Sequence, residues 1–178
     1  MRIISGCRRG MKLFAPDGMD TRPTTDRVKE SLFNIIQFRL PCDKVLDLFA
    51  GSGSLGIECI SRYCGKCTFV DSNKQSLALV QKNVKSAQFE DSSSFFNTDA
   101  ISFLTGCNDS FDLIFLDPPY NCDFLEPAIE LIHRRNILNE NGIIVVESEK
   151  NGESVPDTYF PIRRQATYGK TVITILQG

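Results

Sequence analysis

The stretch Asp47-Leu-Phe-Ala-Gly-Ser-Gly-Ser-Leu-Gly56 restricts this chain more than any other. A short apolar run, residues 45–49, leads at once into three glycines and then into the helical pattern of residues 54–63. Glycine is needed where the backbone turns sharply and a ligand must lie against it with no Cβ in the way. A strand that enters a helix through such a turn belongs in an open α/β sheet, where ligands bind at loops leaving the carboxyl ends of strands. The rest of the chain keeps the same alternation. Strands are expected at 67–70, 94–97, 111–116 and 142–147, with helices at 74–87, 99–105 and 123–135 between them. That order implies a mostly parallel sheet covered by helices on both faces.

The two ends differ from this pattern. Residues 159–167 and 171–176 are β-rich and separated only by Tyr168-Gly-Lys170, so they should pair as an antiparallel hairpin. At the start, residues 2–7 and 11–14 flank Arg8-Arg9-Gly10 and suggest a small basic hairpin. A turn-rich segment with Pro16, Gly18 and Pro23 follows, and then a helix capped by Thr24 or Thr25 and ended by Pro41. Val28, Leu32, Phe33, Ile35 and Ile36 give that helix one apolar face. A parallel sheet finished by an antiparallel hairpin is the arrangement of class I methyltransferases rather than of dinucleotide-binding domains. The expected architecture is therefore an α/β, Rossmann-like, seven-stranded sheet in a single domain over 1–178, with an N-terminal hairpin arm (1–23) on a catalytic core (24–178).

The glycine loop alone does not choose its ligand. Gly51-Ser-Gly-Ser-Leu-Gly56 matches the G-x-G-x-x-G of nicotinamide and flavin sites, and Asp71 after the second strand could hold ribose hydroxyls of either cofactor class. Two acids favour S-adenosylmethionine (AdoMet). Asp47 precedes the glycines, where a carboxylate can meet a methionine ammonium and where a pyrophosphate would gain nothing. Asp99 follows the third strand, where it can accept from an adenine amine or simply cap its helix. Phe49, Gly51, Gly53, Ser72 and Ala100 complete the expected cofactor set.

Asp117-Pro-Pro-Tyr120 leaves the end of the 111–116 strand and can share one site with the glycine loop. An exocyclic base amine is a poor nucleophile because its lone pair is delocalised into the ring. Methyl transfer becomes easier when acceptors hold both N–H groups while the nitrogen pyramidalises. Asp117 offers a carboxylate and Pro118 a carbonyl, and Pro118 and Pro119 stiffen the loop that carries them. Such preorganised acceptors are the inverse of an oxyanion hole. Tyr120 offers a face for stacking an extruded base, worth about 1–3 kcal/mol.

Net charge is −2, but the charge is uneven. Met1 to Lys29 holds Arg2, Arg8, Arg9, Lys12, Arg22, Arg27 and Lys29 against only Asp17, Asp20 and Asp26. A basic arm on an acidic body suits RNA or DNA, while a solvated edge hairpin explains the same residues. Cys64 and Cys67 have a metal-knuckle spacing, yet no second knuckle follows, His133 is the only histidine, and two small residues at a helix-to-strand turn account for them, so no metal is expected. No apolar stretch could span a bilayer and no extended signal-peptide core is evident, which makes a cytoplasmic chain with reduced cysteines the expectation.

With both loops placed, the chain resembles the RsmD family, the bacterial 16S rRNA guanine-N2 methyltransferases. The likeness is carried by Met1-Arg-Ile-Ile-Ser-Gly6, Arg9-Gly10, Lys12-Leu13, Val45-Leu-Asp-Leu-Phe-Ala-Gly-Ser-Gly53, Asp117-Pro-Pro-Tyr120 and Tyr168-Gly-Lys-Thr171. Arg22-Pro-Thr-Thr-Asp-Arg-Val-Lys-Glu-Ser-Leu-Phe-Asn34 discriminates best, because the two loops recur across many amine methyltransferases. The resemblance implies AdoMet as donor and N2-methylguanine in small-subunit (16S) rRNA as product; a monomer is the separate expectation for the chain. It also places Arg22, Thr24 and Arg27 near the cofactor and the RNA entrance, beside Arg2, Arg8, Arg9 and Lys12 of the arm. Asp71 stands where relatives often have Glu, and Ser5 and Cys7 depart from the usual basic, glycine-rich opening. Two other functions fit the same residues. One is an adenine-N6 methyltransferase on RNA or DNA, against which a 178-residue chain offers no room for a separate target-recognition domain. The other is a non-catalytic RNA-binding assembly factor, against which both intact loops argue.

Overall fold

A computed structural model describes residues 1–15, 26–119, 124–152 and 154–178. Seven strands form one sheet: β1 (Lys44–Asp47), β2 (Lys66–Val70), β3 (Ser93–Phe96), β4 (Phe111–Leu116), β5 (Leu138–Glu149), β6 (Ile162–Tyr168) and β7 (Thr171–Gln177). Their spatial order is β3-β2-β1-β4-β5-β7-β6. The first five run parallel and β7 is antiparallel to both of its neighbours, as the alternation and the tail imply. The helices are α1 (Asp26–Ile36), α2 (Ser54–Ser61), α3 (Lys74–Ala87), α4 (Ala100–Gly106) and α5 (Leu125–Arg134). Among the described residues, no helix is long and apolar enough to cross a membrane.

Period-two alternation divides each central strand between two cores. Val45, Leu113, Phe115, Ile143 and Val145 face α1, α2 and α3, whereas Leu46, Ile114, Leu116, Ile144 and Val146 face α4 and α5. Both faces are covered, so the central strands read as largely apolar runs. The strand at 142–147 is longer than expected. Pairing begins at Phe111↔Leu138, and a register irregularity before Leu113↔Ile143 absorbs Asn139 to Gly142, where Asn141 takes φ +63°.

The N-terminal segment closes on itself through an isolated Arg2↔Lys12 bridge, with Ile3 N donating to Met11 O at 2.9 Å and Leu13 N to Met1 O at 3.1 Å. Ile3 and Leu13 are buried in the same core as α1 and α2. Cys7 N donates to Ser61 O, and Gly6, at φ +85°, lies so close to α2 that an added Cβ would meet Ser61 O at 1.8 Å. The hairpin is thus packed against the body along α2.

A buried ionic centre holds these parts together. Glu58 of α2 is fully buried and accepts from Ile4 N (2.8 Å), Ser5 N (2.9 Å) and Arg62 Nε (2.9 Å), with Lys29 Nζ at 3.4 Å. Lys29, counted from sequence among the basic residues of the outward-facing segment, is instead fully buried and donates to Arg2 O at 2.6 Å. Burial lowers its pKa, and Glu58 opposes that shift. The helical period of α1 places Lys29 one turn before Leu32 and Phe33, on the core face, and only the acid on α2 makes that position tolerable.

Removing Glu58 should leave a buried ammonium and two amides without their partner. Glu58→Ala is expected to cost about 3–5 kcal/mol in urea unfolding. A Lys29→Met, Glu58→Leu double variant should regain only part of that, since Ile4 and Ser5 still lose their acceptor. A loss under about 1 kcal/mol for Glu58→Ala, the scale of an exposed pair, would show the centre to be peripheral.

Candidate active site

The site lies at the carboxyl ends of β1, β2 and β4. After β1 the chain passes through Leu48–Gly53, where Gly51 (φ +56°) and Gly53 (φ +75°) both take left-handed backbone conformations. Gly53 N donates to Ala50 O at 2.6 Å, and Gly53 caps α2 without any side chain. The glycines do different work. A Cβ on Gly53 would meet Val80 Cγ1 at 2.8 Å, and one on Gly56 would meet Phe69 Cε1 at 2.4 Å. At Gly51 the nearest neighbour is Phe49 O at 3.9 Å, so only this glycine borders open space.

Two acids shape the loop from below. Asp47, 2% exposed, accepts from Gly56 N at 3.0 Å, and burial together with nearby Asp71 pushes its carboxyl up to about 7. Asp71 accepts from Gly51 N and from Asn73 N, both at 2.8 Å. Asn97 fastens the ends of β2 and β3 by donating to the carbonyls of Asp71 (2.9 Å) and Ser72 (3.1 Å). Phe49 is half-buried with its ring 6.2 Å from that of Phe124, and Ala100 is buried in the first turn of α4. Asp99 caps α4, accepting from Ser102 N at 2.8 Å, which holds its carboxyl below the usual range.

Asp117 and Pro118 leave β4 beside this loop, Pro118 buried and Pro119 exposed. Burial and the carboxylates of Glu147 and Asp47 push Asp117 well above the usual carboxylate range. Sequence reasoning assigned nothing to Glu147, although the signal was present. Val45/Asp47, Leu113/Phe115/Asp117 and Ile143/Val145/Glu147 are the same period-two column on three adjacent strands. An acid ends each column on the α1 face of the sheet, Asp47 opposite Phe115 and one period short of Asp117 and Glu147. Among the described residues, no group of histidines, cysteines and acids could hold a metal ion. The acid-rich cleft suits a cationic ligand far better than a pyrophosphate.

The basic residues fall into two groups. Arg8 donates from Nε to Ala87 O at 2.9 Å and bonds Gln88, fastening the hairpin to the C-terminus of α3. Arg2 pairs with Asp26 at 3.2 Å across an exposed surface. Arg9, Lys12 and Arg27 are exposed. Arg22, Thr24 and Tyr120 lie outside the described residues. Cys64 and Cys67 are buried, Cys64 Sγ lies 3.6 Å from Cys42 Sγ, and His133 sits on the exposed last turn of α5 against Tyr159 and Phe160.

Comparison with known proteins agrees with this geometry. The family described as Conserved hypothetical protein 95 matches residues 1–177. YlbH of Bacillus subtilis is 40% identical over 180 residues, covering 98% of this chain and 97% of that protein. The ribosomal RNA small subunit methyltransferase D of Haemophilus influenzae is 36% identical over 172 residues, covering 95% of this chain and 89% of its own. The solved structure of yhhF from Escherichia coli superposes with a TM-score of 0.87 at 33% identity, covering 99% of this chain and 97% of the other. With the fold, the two loops and the relatives in agreement, this chain belongs to the RsmD family of methyltransferases.

Proposed function

We propose that this protein transfers a methyl group from AdoMet to the exocyclic N2 amine of a guanine in small-subunit (16S) ribosomal RNA. The observation that carries the proposal is the row of acids Asp47, Asp117 and Glu147 beside a glycine loop that leaves open space at Gly51. The relatives' names support the RNA class, and Asp117-Pro-Pro supports an amine as acceptor.

AdoMet, when bound, supplies an electrophilic methyl group on a sulfonium. Asp71 is the acceptor for its ribose hydroxyls, and Asp47 supplies negative potential for its methionine ammonium while fixing the start of α2. Gly51 and Gly53 give the backbone its close approach, with Phe49, Ser72, Asp99 and Ala100 bordering the adenosine. Asp117 and the Pro118 carbonyl hold the two N–H groups of the target amine, and Pro119 keeps the loop extended. Tyr120 stacks on the base. The amine must shed a proton after transfer, and the adjoining acids Asp117 and Glu147 can take it. Arg2, Arg9, Lys12, Arg22, Thr24 and Arg27 hold RNA phosphates, which positions the strand without choosing the base, while Arg8 holds the hairpin against α3.

Nucleoside analysis of small-subunit rRNA from cells lacking the protein should show N2-methylguanine missing, restored by wild type and not by Asp117→Ala. Loss of N6-methyladenine instead would move the activity to adenine. With purified protein, Asp117→Ala should lower the methylation rate about a hundredfold with AdoMet binding intact, the scale seen when one preorganised polar group is removed.

Because Asp117 is held above its ordinary pKa, it becomes a carboxylate only at higher pH than an exposed acid. The methylation rate should therefore rise with pH and fall as the solution is acidified. Asp117→Asn should flatten that limb. An unchanged pH profile in Asp117→Asn would remove Asp117 from the proton path.

Replacing Arg9 and Lys12 with alanine should weaken RNA binding and reduce its dependence on salt. An unchanged salt slope would return the hairpin to a solvated edge.

A further inference from the structure

Asn83 lies in the middle of α3, is fully buried, and touches none of the residues so far assigned to chemistry. Its side chain nevertheless spans two parts of the proposed machinery. Oδ1 accepts from Phe14 N at 2.8 Å, and Nδ2 donates to Phe14 O at 3.0 Å and to Ser52 O at 2.9 Å. Phe14 is the end of the hairpin's second strand, and Ser52 lies between Gly51 and Gly53. One amide therefore bonds both backbone groups of a hairpin residue and a backbone carbonyl of the glycine loop. The same loop residue reaches the hairpin a second time, since Ser52 Oγ donates to Met1 Sδ at 3.6 Å. Both open ends of the hairpin, Met1 and Phe14, thus converge on Ser52.

The chemistry of asparagine suits this post. An apolar side chain would leave three part-buried backbone groups without this partner, and a carboxylate would face two carbonyl oxygens it cannot bond. Asp71 holds the loop at Gly51 N and packing against Val80 holds it at Gly53, and the bond from Asn83 to Ser52 O fixes the residue between them. The hairpin is in turn fixed at its far end by Arg8 on Ala87 and Gln88, one turn beyond Asn83 on the same helix. Hairpin and α3 therefore move together or not at all.

We propose that Asn83 is a positioning residue that couples the N-terminal hairpin to the cofactor loop, so that holding one in place favours ligand binding at the other. The proposal rests on the reading of the glycine loop as the AdoMet site. Coupling of this kind is reciprocal. A ligand that orders Gly51–Gly53 must stabilise Phe14, and RNA that holds the hairpin must raise affinity for AdoMet by the same factor.

The test uses S-adenosylhomocysteine, the demethylated product of AdoMet, with the full-length protein. Hydrogen exchange followed residue by residue should show that this ligand slows exchange at residues 50–56 and also at the Phe14 amide, which reports the bond to Asn83 directly. In Asn83→Asp, which keeps the shape and the Phe14 N acceptor but loses both donors, protection should stay confined to the loop. Calorimetry should show affinity about tenfold weaker, the scale of one net hydrogen bond. Asn83→Ala should weaken it at least as much, and melting temperatures establish that both variants are folded. If wild type binds no S-adenosylhomocysteine, the AdoMet reading itself fails. If wild type binds it while Phe14 exchange stays unchanged, or if folded Asn83→Asp binds it as wild type does, the coupling is wrong and the AdoMet reading stands.

Discussion

The acid Glu58 is the point on which the rest of the structure hangs. It sits in α2, the helix that begins at the glycine loop, and it collects two hairpin amides, a lysine from α1 and an arginine from its own helix. A carboxylate with no solvent exposure is costly unless its lone pairs are all engaged, and here four donors engage them. The cost of burying it is offset only when hairpin, α1 and α2 are in their native places together. The N-terminus of α2 is held by a second buried acid, Asp47, through Gly56 N. One helix of eight residues is therefore tied by carboxylates at two successive turns, and the loop that precedes it has little freedom to shift.

That rigidity explains how one edge of the sheet can hold so many acids. Glu147 and Asp47 both repel Asp117, and burial disfavours the charged forms of Asp47 and Asp117. A flexible edge would relax by letting the acids turn outward. Strand pairing from Asp47↔Phe115 to Phe115↔Val145 fixes their spacing instead, so the repulsion stays stored as raised proton affinity. A cationic ligand relieves that repulsion, which gives the cleft an electrostatic preference before any hydrogen bond forms.

Much of the fold was open to a reading of the residues alone. Largely apolar runs at 45–48, 67–70 and 111–116 point to strands covered on both faces, and Tyr168-Gly-Lys170 to the closing turn. Glu147 could have been found by the same period-two rule, applied one strand further. Lys29 could not, because its burial depends on an acid 29 positions away that sequence periodicity on α1 does not see. Arg8 belongs to the same class. Its charge reads as an outward contact, while its partner is a helix-terminal carbonyl 79 residues on. Local pattern reveals which elements form, whereas polar side chains that fasten elements together are settled only by tertiary contact.

The three glycines of the loop carry a consequence for comparing relatives. Gly53 and Gly56 are closed off by Val80, Cys67 and Phe69, so a chain that lost every ligand would still be held to glycine at both positions by its core. Gly51 alone opens outward. Descent can therefore preserve the appearance of a nucleotide motif long after its use has lapsed, since packing holds Gly53 and Gly56 to glycine and the left-handed backbone at φ +56° favours it at Gly51.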